Sequence, residues 1–307
     1  MYYYKLYGSN ICSDLEFPQL IEANDWREGK FDIQIQEGIL SEDMKRQGLN
    51  RKYEIDRKKS WLVNTTTCIV VEDGRSITYE LQPNGKLEYL RTYILGFAMS
   101  MLYLQRGDMA IHCSAIVKGD KAILIAGESG SGKSTITSHF LGMGYQLMAD
   151  DMAVVKVRNT GEVKVLPGFP YQKLCRDMAV KKGYDLADCI YIDERKDKFL
   201  VPYKEVFSIK EKTLSAIFLL RSEVRVGKLF TEELKGMDKL YACTSNLFLR
   251  SLLQEQTYEP KIGERCLQIA SAVPIYLIRR PLGQNTVNSI LDYILSKIEK
   301  EKEILYE

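Results

Sequence analysis

The stretch Gly127-Glu-Ser-Gly-Ser-Gly-Lys-Ser134 is the part of this chain that decides its fold. The apolar run Ala122-Ile-Leu-Ile-Ala126 precedes it, and a helical pattern follows over residues 133–141. Glycines allow successive backbone N–H groups to point at phosphate oxygens, and the helix that follows adds the positive end of its dipole. The sequence therefore predicts a strand, a phosphate-binding P-loop and a helix, in that order.

The residue types within the loop predict a nucleoside triphosphate and a magnesium ion as ligands. A lysine at the position of Lys133 reaches the β- and γ-phosphates, and a hydroxyl at the position of Ser134 is a ligand of Mg²⁺. The predicted cofactors are therefore ATP and Mg²⁺, with GTP as the alternative nucleotide, because the sequence contains no motif that reads the base. The residues predicted to contact the nucleotide are Gly127, Ser129, Gly130, Ser131, Gly132, Lys133, Ser134 and Thr135.

Two adjacent carboxylates, Asp150 and Asp151, follow the apolar run Tyr145-Gln-Leu-Met-Ala149. Carboxylates at the end of a buried strand are costly unless a cation or a proton lies nearby. In P-loop proteins an aspartate at such a strand end holds Mg²⁺, and its neighbour could accept the proton of an attacking hydroxyl. We therefore expect Ser134, Asp150 and Asp151 to form a metal site. A pair of solvated turn aspartates is the alternative.

His112 lies within residues 109–117, a strand-like run just before the P-loop strand. Histidine is the side chain most easily poised near neutral pH. If this strand approaches the loop, His112 could orient the γ-phosphate or tune the base. Without that approach it is a core histidine.

The chain divides into a β-rich N-terminal domain with a bridging helix, residues 1–107, and a P-loop domain, residues 108–307. Apolar residues at spacings of three and four predict the bridging helix over residues 86–105. β-branched and aromatic runs predict N-terminal strands at residues 2–7, 31–36, 60–63, 66–72 and 76–81. Further predicted strands are 109–117, 121–126, 145–149, 152–157, 162–166, 214–220 and 274–278, and further helices are 233–254 and 285–300.

Bulk composition excludes several classes of partner. The 307 residues carry 43 basic and 41 acidic side chains, a formal net charge of +2, so neither nucleic acid nor an anionic membrane is expected. The apolar stretch over residues 92–104 is too short to span a bilayer, and the N-terminus lacks the pattern of a signal peptide. Seven dispersed cysteines indicate free thiols in a reducing compartment, so we expect a cytoplasmic protein.

At these motifs the chain resembles the HPr kinase/phosphorylase superfamily. That family places a histidine in the strand before the P-loop strand, then G-x-S-G-x-G-K-S, then an apolar strand that ends in an aspartate pair. The matching residues here are Ile111-His112, the loop that ends at Ser134, and Gly144-Tyr-Gln-Leu-Met-Ala-Asp-Asp151.

The resemblance implies an α/β (α+β) fold with a strongly curved sheet, similar to phosphoenolpyruvate carboxykinase. It also implies an ATP-dependent phosphotransferase that acts on a hydroxyl, and a possible homo-oligomer. By position, Lys133 and Ser134 handle the nucleotide and Mg²⁺, and Asp150 and Asp151 supply metal binding and the base. Asp151 is our choice for the base, and His112 takes a supporting acid/base role.

One segment departs from the family pattern. Where the family has an acidic residue and an R-G-L-G run, this chain reads Val165-Leu-Pro-Gly-Phe-Pro170. We therefore expect neither HPr as the substrate nor phosphorylase activity. The Pro-Gly-x-Pro form, together with Ser13-Asp-Leu15, is similar to a subgroup that includes lasso-peptide precursor kinases. This similarity implies transfer to a Ser/Thr hydroxyl of a peptide or small protein, such as a ribosomal peptide precursor.

Two other functions fit the same motifs. The acceptor could be a small molecule such as free serine, or the protein could be a regulator that binds ATP without transferring phosphate. Intact Lys133, Ser134 and the aspartate pair favour an enzyme over the regulator.

Overall fold

The computed structural model of this chain describes residues 1–23, 30–50, 52–193, 197–250, 252–253 and 260–303. Over these residues the chain forms a mixed α/β structure with three β-sheets, in agreement with the predicted class. Among the described helices, none is long and apolar enough to cross a membrane.

The first sheet is formed by the N-terminal part of the chain and has the strand order β3-β1-β2-β4-β8-β7-β6-β5. In β4, Ile33 and Ile35 are buried while Gln36 is exposed, because successive side chains of a strand point to opposite faces. The strands are β1 Tyr2–Leu6, β2 Ser9–Ser13, β3 Ile21–Glu22, β4 Ile33–Glu37, β5 Tyr53–Glu54, β6 Lys59–Val63, β7 Thr67–Glu72 and β8 Ser76–Leu81, and helix α1 is Glu42–Asn50.

The five strands predicted in this part are confirmed to within two residues at each end. The patterns missed β2, β3, β5 and α1. Two of these strands have only two residues each, which is too short for any periodicity to show.

The bridging helix predicted over residues 86–105 forms, but it contains a π-helical turn that the pattern did not indicate. Its parts are α2 Leu87–Tyr93, the π turn Ile94–Ala98 and α3 Met99–Gln105. A spacing of three and four residues fits both helix forms, so the periodicity could not reveal the turn. Every residue of α3 before Gln105 is buried, as expected for this apolar stretch.

The second sheet carries the P-loop and has the order β12-β10-β11-β18-β14-β13-β9, with β20 paired to β18 and β19. The pairs β11–β18 and β18–β20 are parallel, and the other pairs are antiparallel. The elements are β9 Met109–Ile111, β10 Cys113–Lys118, β11 Lys121–Gly127, α4 Lys133–Gly142, β12 Gln146–Ala149, β13 Ala153–Val157, β14 Val163–Leu166, β18 Lys212–Glu223, β19 Phe230–Glu233 and β20 Ile275–Pro281.

Strand directions bring the predicted site residues to one edge of this sheet. Strand β10 runs antiparallel to β11 on one side and to β12 on the other. The carboxyl ends of β11 and β12 therefore both lie beside the start of β10. Cys113 pairs with Ala126, and Ala115 pairs with Ala149, so the P-loop and the aspartate pair begin close to His112.

The single strand predicted over residues 109–117 is wrong, because the chain breaks at His112 into β9 and β10. Strand β9 pairs with β13, whereas β10 pairs with β11 and β12. The N–H of His112 donates instead to the carbonyl oxygen of Asn246, at 2.8 Å. The break follows from a change of partner strand, which no local pattern encodes.

A third, three-stranded sheet follows the Pro167–Pro170 loop and was not predicted. Its order is β15-β17-β16, and Gln172 attaches it to α4. The side-chain amide of Gln172 accepts from Ser138 Oγ at 3.1 Å and donates to the carbonyl oxygen of Ser134 at 3.4 Å. The elements are β15 Tyr171–Cys175, α5 Arg176–Lys181, the 3₁₀ turn Leu186–Asp188, β16 Ile190–Asp193 and β17 Lys198–Pro202.

The helix predicted over residues 233–254 is also wrong in its bounds. Its first residue ends β19, the helix begins only after Gly236, which has φ +50°, and it ends at Ser245. Phe248 then donates its N–H to the carbonyl oxygen of Ala110, so this segment borders β9 instead of extending the helix. Residue 254 lies outside the described residues. The helices here are α6 Met237–Ser245, α7 Pro260–Ala272 and α8 Val287–Glu303.

One hydrophobic cluster extends across the predicted domain boundary at residues 107 and 108. Leu6 and Tyr103 from the N-terminal part pack in the same cluster as Val154 and Leu166 from the second sheet. Tyr7 adds backbone contacts across it: its N–H donates to Pro167 and its hydroxyl to Met152. The division into two domains stays a prediction. All seven cysteines are free thiols.

Candidate phosphotransfer site

The P-loop has the backbone that its sequence predicts. It leaves β11 at Gly127 and enters α4 at Lys133, and Gly127, Gly130 and Gly132 have φ values of +144°, +86° and +102°. L residues rarely adopt such values. A Cβ on Gly127 would lie only 2.3 Å from the carbonyl oxygen of Leu220, so this position also excludes a side chain by space.

The amine of Lys133 rests on the loop itself. Its Nζ donates to the carbonyl oxygens of Gly127, at 2.5 Å, and Glu128, at 3.1 Å. Burial lowers the pKa of Lys133, although the carboxylates of Asp151 and Asp150 act in the opposite direction. A cation held over loop carbonyls at the helix start is placed to meet phosphate oxygens.

Ser131 supplies an unused hydroxyl within the loop. The residue is 3% exposed, and its Oγ has no hydrogen-bond partner among the described residues. A buried hydroxyl without a hydrogen-bond partner is unfavourable unless a bound ligand supplies the missing hydrogen bond. The glycine cradle, the Lys133 amine and this hydroxyl all fit a bound phosphate chain.

Asp150 is held by two hydrogen bonds at the end of β12. Ser114 Oγ donates to its Oδ1, and the backbone N–H of Lys173 donates to its Oδ2 at 2.8 Å. Burial raises the pKa of Asp150 to about 6, and these two hydrogen bonds only partly offset the effect. A carboxylate in this state favours a nearby cation.

Asp151 is held in the left-handed region at φ +66°, where aspartate is one of the tolerated residues. Its Oδ2 lies 3.4 Å from the Nζ of Lys173, and its Oδ1 lies 3.8 Å from Nδ1 of His112. Burial acts to raise its pKa, but the positive charges of Lys173 and Lys198 act in the opposite direction, and the pKa of Asp151 lies below its ordinary value. The side chain is 33% exposed and lines the cavity described below, so a bound molecule can contact it.

His112 is not only a buried core residue, because its ring contacts the backbone of Asp151. Its Nδ1 lies 2.9 Å from the carbonyl oxygen of Asp151. A carbonyl can only accept, so Nδ1 carries the hydrogen and Nε2 is left as an acceptor. Burial lowers the pKa of His112, with Asp151 opposing, so the ring is neutral at neutral pH.

These residues border one cavity of about 310 Å³. Two lysines on the third sheet, Lys173 and Lys198, also line it, and sequence reasoning missed both. Strand pairing places Lys198 opposite Cys175, which lies two residues after Lys173. Of the predicted loop residues, Gly127 and Ser131 do not line the cavity. The predicted site residues on the cavity wall are His112, Ser129, Gly130, Gly132, Lys133, Ser134, Thr135, Asp150 and Asp151.

Lys173 and Lys198 belong to no recognisable motif, and lysine is common in this chain, so the sequence alone did not indicate that they line the site. The run Tyr171-Gln-Lys-Leu-Cys175 does alternate apolar and polar residues, and that alternation could have predicted β15. Its place over the P-loop depends on Gln172 and α4, which no local pattern encodes.

The residues present fit a magnesium ion that is completed by phosphate. Ser134, Asp150 and Asp151 offer a hydroxyl and two carboxylates, the hard oxygen donors that Mg²⁺ prefers alongside substrate phosphates. In the described ranges, no three or more His, Cys, Asp or Glu side chains converge into a site built from such residues alone.

Comparison with protein-family models finds no match to this chain, and comparison with curated proteins finds none either. Among solved structures, the chain is similar to the Hpr(Ser) kinase/phosphatase from Coxiella burnetii. The two share 12% sequence identity with a TM-score of 0.33, and the match covers 64% of this chain and 99% of that chain. Similarity at this level assigns no activity, so the function is inferred from the site.

Proposed function

We propose that this protein is an ATP-dependent kinase that transfers the γ-phosphate to a Ser/Thr hydroxyl of a peptide or small protein, such as a ribosomal peptide precursor. The proposal includes a P-loop domain of the HPr kinase and phosphoenolpyruvate carboxykinase type. One observation carries it: Asp151, with a partly exposed carboxylate, lies on the same cavity wall as Lys133 and the P-loop. A site that only binds a nucleotide and Mg²⁺ needs one carboxylate beside the metal, Asp150, and has no need of a second one such as Asp151 on the same wall.

Each residue has a role that follows from its position. The P-loop backbone and Lys133 bind the phosphates, and Lys198 adds positive charge at the cavity wall. Ser134 and Asp150 would hold Mg²⁺, which neutralises negative charge on the phosphates when bound. The charge of Lys173 keeps Asp151 ionised, and Nδ1 of His112 holds the backbone of Asp151 in place.

Asp151 acts as the general base. It accepts the proton of the acceptor hydroxyl as the hydroxyl oxygen forms a bond to the γ-phosphorus. At the same time the bond between that phosphorus and the bridging oxygen breaks, and its electron pair leaves with ADP. The products are a phosphate monoester, ADP and protonated Asp151, so atoms and charge balance.

Intact mass spectrometry of an acceptor panel after incubation with ATP and Mg²⁺ tests the proposal. The panel contains Ser/Thr-ended peptides, an HPr-like protein and free serine, and the Lys133→Ala variant is the control. We expect the wild type to add a phosphoryl group to the peptide acceptors, and the variant to add none.

The alternatives give different results in the same experiment. An adduct on free serine alone would make the protein a small-molecule kinase. Tight ATP binding with no adduct on any acceptor would favour the regulator. An adduct that persists in Lys133→Ala would contradict the assignment of the P-loop as the phosphate site.

A further inference from the structure

A second, smaller cleft adjoins the phosphate cavity. Asp150, Asp151 and Lys173 line both, but no P-loop residue lines the smaller one. In-line transfer needs the acceptor oxygen and the departing ADP oxygen on roughly opposite sides of the phosphorus. A space that reaches the base without entering the P-loop is therefore where an acceptor hydroxyl would have to arrive.

The wall of this cleft is apolar and aromatic. Apart from the three shared residues, every described residue that lines it is uncharged. Phe169 and Tyr171 come from the loop and strand that begin the third sheet, and Leu95 and Phe248 come from the bridging helix and the segment after α6. Burial of apolar groups is the main attraction that such a wall can offer.

Gln19, which also lines the cleft, supplies a polar contact that is still unused. The residue is 2% exposed, and its Oε1 has no hydrogen-bond partner among the described residues. A buried acceptor without a donor costs free energy that a ligand N–H or O–H would recover. This second observation points to a ligand independently of the shared carboxylates.

The π turn Ile94–Ala98 forms another part of the wall, through Leu95 and Gly96. Single π turns within α-helices occur frequently at functional sites. Gly96 leaves the wall without a side chain at this point, and a Cβ there would lie 3.5 Å from the ring of Phe248. The wall therefore presents backbone instead of a side chain at Gly96.

We infer that this cleft receives the phosphate acceptor, and that the acceptor is a peptide serine or threonine flanked by apolar residues. The inference rests on the proposed kinase function. The cleft volume of about 40 Å³ accommodates a few atoms, the size of a hydroxymethyl group and part of its neighbour. The oxygen of Gln19 accepts a peptide N–H or the acceptor's hydroxyl, and the apolar wall contacts the flanking side chain.

The lining chemistry disfavours free serine. Its α-ammonium and α-carboxylate would both have to be desolvated, and among the described lining residues the only charged partners are those already used for transfer. A peptide carries neither charge next to its internal serine. Specificity then arises from the cost of leaving those charges unpaired.

The test compares three acceptors with the full-length protein, ATP and Mg²⁺. Two are capped peptides that differ only in their flanks, Ala-Leu-Ser-Leu-Ala and Ala-Glu-Ser-Lys-Ala, and the third is free serine. Two variants obstruct or alter the cleft: Thr92→Trp at its half-buried rim, and Gln19→Leu, which removes the amide oxygen. Leu87→Trp, on the same helix but outside the cleft, is the matched control.

We expect at least tenfold higher kcat/KM for the leucine-flanked peptide than for either other acceptor. Thr92→Trp should raise the KM for that peptide at least tenfold, and Gln19→Leu at least threefold, with the KM for ATP changed less than twofold. Leu87→Trp should behave as the wild type.

Failure of the two proposals is distinguishable. Transfer that shows no preference among the acceptors, or a peptide KM that neither cleft variant changes, would overturn the inference and leave the kinase intact. Transfer to none of the acceptors, with ATP still bound, would contradict the kinase and the inference together.

Discussion

The amine of Lys173 lies 3.4 Å from Oδ2 of Asp151, while its backbone N–H donates to Oδ2 of Asp150 at 2.8 Å. One residue of the third sheet thus holds both members of the aspartate pair. It orients Asp150 through the main chain and keeps Asp151 ionised through its charge. The positions of both carboxylates therefore depend on β15.

Lys173→Met should lower kcat by roughly 10- to 100-fold, because a positioned charge at the reacting groups is lost. Lys173 lowers the pKa of Asp151, so its removal raises that pKa. Since the base must be unprotonated, the acidic limb of the pH profile of kcat/KM should move to higher pH. Lys173→Arg should keep the limb near its wild-type position. An acidic limb that does not move in Lys173→Met would show that Lys173 does not set the pKa of the base.

Asp151→Asn should retain ATP binding and lose transfer by roughly 10²- to 10⁴-fold, because an amide cannot accept the proton. Asp150→Asn should instead raise the Mg²⁺ concentration needed for half-maximal rate. Titrations of Mg²⁺ and ATP on both variants separate the two roles. A full rate in Asp151→Asn would mean that our choice of base is wrong.

His112→Ala should reduce transfer while leaving ATP affinity intact, because the variant lacks the Nδ1–H that holds the backbone of Asp151 at φ +66°. His139, the chain's other histidine, is exposed on α4 and does not line the cavity. His139→Ala is therefore a matched control that should leave the transfer rate and the affinity for ATP unchanged. An unchanged transfer rate in His112→Ala would return His112 to a structural role.

Asp150→Asn should stabilise the metal-free protein at pH 7.5. The pKa of Asp150 is raised from 3.8 to about 6, so the native state binds the proton more tightly than the unfolded state does. Its contribution to stability is present in full below about pH 4 and is lost as pH rises through 6. The gain from Asn should be on the order of 1 to 3 kcal/mol above pH 7 and should shrink toward pH 4.

Thermal unfolding of the wild type and Asp150→Asn in EDTA, measured across this pH range, provides the check. Asn can accept the N–H of Lys173 and donate to Ser114, so both hydrogen-bond partners are preserved. A difference in unfolding temperature that is constant with pH would exclude titration of Asp150 as the cause.

Gly127→Ala should destabilise the protein by about 2 kcal/mol or more, because a side chain is strained at φ +144° and meets the carbonyl of Leu220. Gly142, at the end of α4, has no heavy atom within 4 Å of a Cβ built on it. Gly142→Ala should be neutral or stabilising by up to ~1 kcal/mol. Urea unfolding without nucleotide measures both. Equal midpoints for the two variants would contradict the packing of Gly127 against β18.

Local sequence patterns predicted the elements with strong periodicity or obligatory glycines. The run before Gly127 and the helix after Lys133 form as expected, and the strand before Asp150 forms as well. These elements depend on contacts within a few residues, so the information lies in the local sequence. The predictions failed where contacts with residues distant in the chain set the ends of an element. Strand β10 begins only after His112 because the preceding residues pair with β13, and α6 ends at Ser245 because the residues after it contact β9.

The sequence by itself determined a P-loop between a buried strand and a helix, with two carboxylates at the end of the next strand. Its glycines and apolar runs leave the backbone few other conformations. Only the tertiary structure decided that β11 and β12 end beside the start of β10, which brings His112, Lys133 and Asp151 to one cavity. It alone placed Lys173 there, because strand pairing and the contacts of Gln172 act between residues far apart in sequence.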